Sequence, residues 1–350
     1  MSPNGRYFTP AKTVLLTGAG FTHPFGGYLA SEMWSVILNQ PEIRQYPKLR
    51  KRMLEELNYE TLYDTVLASD GYTPVETHAF TKAIRNAYQH MHEIICRDEV
   101  KHRSSASGAC RSFVERFAGT GGERGFFFTL NQDLFVERFY TTADSLIKIP
   151  GLHNPKWFNG QLGSTLEKCD WVRLPEEKRV EEEKAKFWAK STERFVYIKL
   201  HGSYGWETGD STEMMVMGHA KTKIIQGEAL LRWYLSLFKE VLGEPERNLV
   251  VIGYGFGDKH INEVIADAIR RCGLRLNVVS PILPQTFRER ILPVHAGGAE
   301  CIPSEEYEHR NIVWEGLFGY YRASVIDFYD ASTVALPPRG HAFFRDLGLN

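Results

Sequence analysis

The chain has 350 residues, with 42 lysines and arginines against 43 aspartates and glutamates and a formal net charge of −1. So even a balance offers no general electrostatic attraction for nucleic acid or an anionic membrane surface, and no run of about 18 apolar residues is present to span a bilayer. Hydrophobic residues make up 43%, enough for one large α/β core or two smaller ones.

The opening Met1-Ser2-Pro3-Asn4-Gly5-Arg6 is polar and unlike a secretory leader, so a soluble, cytoplasmic protein is expected. The first element is Thr13-Val14-Leu15-Leu16-Thr17, a short apolar strand that runs into Gly18-Ala19-Gly20-Phe21-Thr22. A helix is predicted just beyond, over Ala30 to Leu38. Glycine has no Cβ, so backbone amides at such a strand-to-helix turn can approach a phosphate. The third glycine of a G-x-G-x-x-G pattern is missing, since position 23 is His23.

Residues from 40 to about 118 read as a helix-rich insertion. Lys48 to Leu57 is strongly charged, while Phe80 to Cys96 carries Ala83, Ile84, Ala87, Met91, Ile94 and Ile95 at helical spacing. Ser107 to Phe117 is the helix leading into the next strand. An insertion of this kind is expected to form a small helical domain over a cofactor cleft.

The strand Gly125 to Leu130 ends in Asn131-Gln132-Asp133-Leu134. An irregular connection through Ile149-Pro150-Gly151-Leu152-His153-Asn154-Pro155 and a charged run from Pro175 to Lys184 follow. The mixed signs of that run at i,i+4 predict a solvated helix. Phe195 to Leu200 is another strand and ends in His201-Gly202-Ser203. The strand Asn248 to Ile252 ends in Gly253-Tyr254-Gly255-Phe256-Gly257-Asp258. A helix over Ile261 to Ile269 and a strand over Leu274 to Val279 come next. This alternation predicts an α/β fold: a Rossmann-like parallel sheet with helices on both faces. The expected division is a catalytic domain over residues 1–285 and an aromatic-rich extension over 286–350. Helical spacing from Ile312 to Ile326 suggests a helix in that extension. It either covers an edge of the same domain or makes a subunit contact, for which aromatic residues are favoured.

The five cysteines, Cys96, Cys110, Cys169, Cys272 and Cys301, are scattered and contain no C-x-x-C pair. Neither a disulfide framework nor a structural zinc site is expected. His90 and His92 lie two apart on a predicted helix and so face different ways. His23 and His260 read as surface or supporting residues beside motifs. Asp258 serves equally well as an N-cap or as a ligand, and Gly253 and Gly255 can form a plain tight turn.

The glycine turn after the first strand, Asn131-x-Asp133 after a second and His201-Gly202 after a third, in this order, resemble the sirtuin family. The form of Gly253 to Asp258 looks less like the protein deacylases than like the bacterial sirtuin-like NAD+ hydrolases of anti-phage defence, and the resemblance spans roughly residues 10–285. It implies NAD+ as substrate, with His201 as the base beside the nicotinamide ribose, Asn131 orienting ribose and water, and Asp133 engaging the carboxamide. Gly18, Ala19 and Gly20, with Phe21 and Thr22 in the same turn, would hold the pyrophosphate. Gly253, Tyr254 and Gly255 would approach the adenosine side, and Asn277, at a strand end, would meet the adenosine ribose.

The Cys₄ zinc module of sirtuin deacylases is not recognisable, and Pro24-Phe25-Gly26-Gly27-Tyr28 stands where they carry a Gly-Ile-Pro-x-Phe-Arg segment. These departures favour water as the acceptor over an acyl-lysine. The resemblance therefore implies hydrolysis of NAD+ to nicotinamide and ADP-ribose by an abortive-infection effector, without metal or zinc. The alternatives are a protein deacylase or ADP-ribosyltransferase, or a non-catalytic NAD+ or ADP-ribose sensing module. It also implies a homo-oligomer, with Trp314 to Tyr329 as the contact, that docks on a HerA-type hexameric ATPase.

Overall fold

The computed structural model describes residues 8–68, 71–102, 106–141, 146–152, 170–189, 193–293, 302–330 and 336–349. The opening Met1 to Arg6, His153 to Pro155, Cys169 and Cys301 lie outside them. The strands are β1 (Thr9–Pro10), β2 (Thr13–Thr17), β3 (Glu123–Thr129), β4 (Ile147–Lys148), β5 (Val172–Arg173), β6 (Phe195–Lys199), β7 (Gly202–Glu207), β8 (Glu213–Met215), β9 (Asn248–Ile252), β10 (Arg275–Ser280) and β11 (Leu317–Arg322). Seven run in the order β11-β10-β9-β2-β3-β6-β4, with β1 pairing to β3 beside them. Every pair in this sheet is parallel. A separate small sheet has the order β5-β7-β8.

Strands β2, β6 and β9 are buried at every position. Such unbroken apolar runs suit a parallel sheet covered on both faces. Phe127 and Phe128 are neighbours on β3 and so point to opposite faces. Phe21 meets Phe127 edge-on at 5.8 Å between ring centroids, and Phe238 meets Phe128 at 4.9 Å. Phe238 belongs to the helix Ala229–Leu242, which buries most of its side chains against the sheet. The helix Lys259–Cys272 follows β9 and ends at Gly273, whose φ of 67° is the left-handed cap that glycine adopts without strain. This α/β Rossmann-like architecture agrees with the expected fold.

The insertion consists of helices Pro41–Arg44, Pro47–Glu55, Tyr59–Ala68, Pro74–His102 and Ala106–Glu115. The charged run forms the helix Glu177–Lys186, with Val180 as its buried anchor. Among the described residues no helix is long and apolar enough to cross a membrane.

The tail departs from the expected helix over Ile312 to Ile326. The helix Ser304–Glu315 stops at Gly316, and the chain re-enters the sheet as β11 beside β10. Leu317, Phe318, Tyr320 and Tyr321 favour strand over helix. Gly319 sits opposite Asn277, where a Cβ would press on the Asn277 amide. The last helix, Pro338–Asp346, stacks Phe343 on Phe113 of the insertion and packs Phe344 against the same ring at a tilt of 52°. Phe343 and Phe344 are core, Tyr320 and Tyr321 are half-buried, and Phe318 is exposed.

Candidate active site

Strand β2 has β3, β6 and β4 on one side and β9, β10 and β11 on the other, so the order of connection reverses direction beside it. Beyond the carboxyl ends of strands at such a switch point, an open parallel sheet forms a natural crevice. A cleft of about 670 Å³ lies there, lined by Gly18, Ala19, Gly20, Asn131, Asp133, His201, Gly253, Tyr254 and Gly255 among others.

The two glycine turns pack directly on each other. Gly18 N–H donates to the Ile252 carbonyl at 3.0 Å and Gly20 N–H to that of Gly253 at 3.0 Å. A Cβ on Gly18 or Gly20 would lie 2.8 Å from backbone atoms of Gly253 or Tyr254. Gly253 itself has a φ of 68°, and a Cβ there would collide with Phe21 N. The glycines are therefore needed first for turn-on-turn packing. The amides of Gly18 and Gly20 are engaged inside the protein, and that of Phe21 bonds Gly18 O at 2.9 Å. An anion at this turn meets the Ala19 side of the loop, not a full ring of amides.

At the β3 end, Asn131 and Asp133 are each 7% exposed. The Thr22 hydroxyl accepts from Asn131 Nδ2 at 3.2 Å and donates to Asp133 Oδ2 at 2.9 Å. Thr22 and Phe21 are not among the residues lining the cleft; Thr22 ties the two polar side chains together and Phe21 is core. Asp133 Oδ1 also accepts from Phe135 N–H at 3.0 Å. Beneath lies a fully buried ion pair, Lys199 to Glu137 at 2.6 Å, and Lys199 also donates to the Asp133 carbonyl.

His201 follows β6 and is 3% exposed. Its neighbour Gly202 has a φ of 69°, and a Cβ there would strike the Met214 carbonyl, which explains the His-Gly pair in steric terms. Gln132 Nε2 donates to the carbonyls of His201 at 3.3 Å and Val216 at 2.8 Å, and its Oε1 accepts from Tyr88 OH at 2.7 Å. His201 Nε2 faces His260 Nε2 at 3.0 Å and Asp258 Oδ1 at 4.0 Å. Lys221 Nζ bridges Asp258 at 2.7 Å and Glu60 at 2.6 Å.

Burial lowers the pKa of His201 to about 3 and lowers that of His260 as well, so both rings are neutral at pH 7. Burial opposes the Asp258 charge, but the facing His201 and the Lys221 ammonium outweigh it and its pKa falls to about 2. Burial raises the Glu60 carboxyl, against the pull of Lys221.

His201, Asp258 and His260 have ligand atoms within 4.8 Å of one another and form the metal-compatible trio found among the described residues. Asp258 already receives the Lys221 ammonium, so its negative charge has a counter-ion without a metal. Among the described residues, Cys96, Cys110 and Cys272 are not joined in disulfides.

Asn277 is not among the residues lining the cleft. Strand β10 runs on to Ser280, so Asn277 is buried mid-strand with its amide against Gly319 of β11, and Ser280 reaches the cleft instead. Asp258 is the N-cap residue of its helix by backbone, yet its carboxylate makes no capping bond and points to Lys221. His23 pairs with Glu32 at the surface. His92 is buried beside Cys96, and His90 meets Tyr28 OH at 2.8 Å. Sequence reasoning missed Glu60, Tyr88 and Lys221, which come from the insertion and from a helix 20 residues beyond His201. It undervalued His260, whose only local signal is its place two residues after Asp258.

Residues 125–290 match the family model described as SIR2-like domain. This supports a sirtuin-like family and the NAD-related activity that such domains carry. No curated protein matches the chain. The first glycine turn precedes the matched residues, and its packing on Gly253 joins it to them.

Proposed function

We propose that the chain hydrolyses NAD+ to nicotinamide and ADP-ribose. The observation that carries this reading is the convergence of Asn131, Asp133 and His201, from the ends of β3 and β6, on one cleft that also holds both glycine turns. The bond between ribose and nicotinamide breaks through a transition state with oxocarbenium character. Asp133 engages the departing carboxamide, and Asn131 orients ribose and water with an amide that can both donate and accept. His201, neutral because buried, accepts the proton that water releases as it adds to the ribosyl carbon. The walls from Tyr59, Tyr88 and Met91 limit access of bulk water. The decisive experiment is nicotinamide release from NAD+ with no peptide acceptor. An acceptor-independent rate supports hydrolysis, whereas a rate that depends on acylated peptide supports a deacylase.

In this reading the enzyme is an anti-phage effector working as a homo-oligomer with a HerA-type ATPase. Its support is the sequence form of Gly253 to Asp258. Co-purification with the product of a neighbouring ATPase gene tests it, and a strict monomer that binds no such product contradicts it.

A further inference from the structure

Building on the hydrolase reading, we propose that His260 is the positioning residue for His201, and that the two imidazoles accept a proton as one pair. His260 is not among the residues lining the cleft. It stands in the first turn of the helix Lys259–Cys272 and meets His201 Nε2 to Nε2 at 3.0 Å. The ring centroids are 5.1 Å apart with planes tilted by 41°, so the contact is an N–H···N bond between ring edges and not a stack. Between two neutral imidazoles one nitrogen must donate and the other accept. The pairing thus couples the two tautomers: His201 donates from Nε2 when His260 presents its Nε2 lone pair.

With His201 as donor, its other ring nitrogen keeps the lone pair that takes a proton. Addition of water to NAD+ yields nicotinamide, ADP-ribose and one proton, and His201 receives that proton from the attacking water. The imidazolium then donates from Nε2 to neutral His260 in a charge-assisted bond. Asp258, 4.0 Å from the same nitrogen, offsets the new charge, and Lys221, bridged to Glu60, holds Asp258 in place. The proton passes to solvent as products leave.

The test compares wild type, His260→Ala and His260→Gln as full chains in buffer containing EDTA. It measures nicotinamide release, NAD+ binding by calorimetry and thermal unfolding. Glutamine can bring its amide to the position of Nε2 without titrating. His260→Ala is expected to lose about 100-fold in kcat with KM changed less than about threefold. His260→Gln is expected to recover about tenfold of that loss. A folded His260→Ala keeping more than about one third of kcat overturns the proposal, as do equal losses in both folded variants. Loss of wild-type activity in EDTA also overturns it, by reassigning the trio to a metal. Wild type that binds NAD+ but releases no nicotinamide overturns the hydrolase reading itself, and the pair's role with it.

Discussion

The Thr22 hydroxyl donates to the Asp133 carboxylate at 2.9 Å across 111 residues of sequence. It locks the turn after β2 to the segment after β3. Because Thr22 also accepts from Asn131, one hydroxyl sets the orientation of two side chains that line the cleft.

Replacing Thr22 by Val keeps the shape and removes both bonds. Asp133 Oδ2 then lacks its Thr22 donor while Oδ1 keeps the Phe135 amide, at a cost of about 1–3 kcal/mol. A lower thermal midpoint is expected with a loss of turnover, while Thr22→Ser retains both. Calorimetric unfolding and nicotinamide release check this, and a Thr22→Val enzyme with wild-type rate contradicts the tethering role.

Gly202→Ala forces a side chain into left-handed backbone and against the Met214 carbonyl. The conformational strain alone is about 1–2 kcal/mol, and the collision adds to it. Chemical denaturation should show the loss, and His201, one residue away, should lose activity beyond what instability explains. An unchanged midpoint contradicts the steric explanation of the His-Gly pair.

Glu137 and Lys199 form a buried ion pair under the Asn131 to Asp133 segment. Burial raises the Glu137 carboxyl, and Lys199 opposes that rise. Removing only the carboxylate, as in Glu137→Leu, leaves a buried ammonium and costs about 3–5 kcal/mol. Glu137→Leu combined with Lys199→Met should restore much of the stability but not activity, since Lys199 also holds the Asp133 carbonyl. Full activity in the double variant contradicts that positioning.

Burial lowers the pKa of His201 to about 3 and that of His92 to about 4. Unfolded imidazoles titrate near 6.5, so below that pH the unfolded state binds more protons and stability falls with acid. Asp258, lowered to about 2 against the opposing effect of burial, contributes in the same direction once pH drops below about 4, its unfolded value. His92→Leu should therefore flatten the decline in thermal midpoint between about pH 6.5 and 4. Nicotinamide release should keep its rate to about pH 5, because the base stays neutral there. A wild-type acid limb centred near 6.5 contradicts the buried base.

The sheet was legible where the signal is local. Apolar runs such as Val14-Leu15-Leu16 and Phe126-Phe127-Phe128 mark strands directly, and glycine after them marks the turns. Asn131, Asp133 and His201 could be read because each sits in a short segment at a strand end. Glu60 and Lys221 could not, because their partnership with Asp258 arises only when the insertion folds over the cleft. His260 reads as a surface or supporting residue beside a motif, since nothing in its neighbours reveals the His201 ring that faces it from beyond the end of β6. Asn277 stands three residues before the end of β10, so its amide meets Gly319 and Ser280 reaches the cleft instead. The tail was misread because the spacing of Ile312 to Ile326 fits a helix until Gly316 ends it and the edge of β10 offers a partner.

The most direct measurement is nicotinamide release from NAD+ by wild type, Asn131→Ala and His201→Ala at equal folded concentration, with no acyl acceptor. The expected result is turnover in wild type and a fall of at least about 100-fold in each variant, with each variant still folded at the assay temperature. Near-wild-type release from His201→Ala, or intact NAD+ in all three, contradicts hydrolysis at this site.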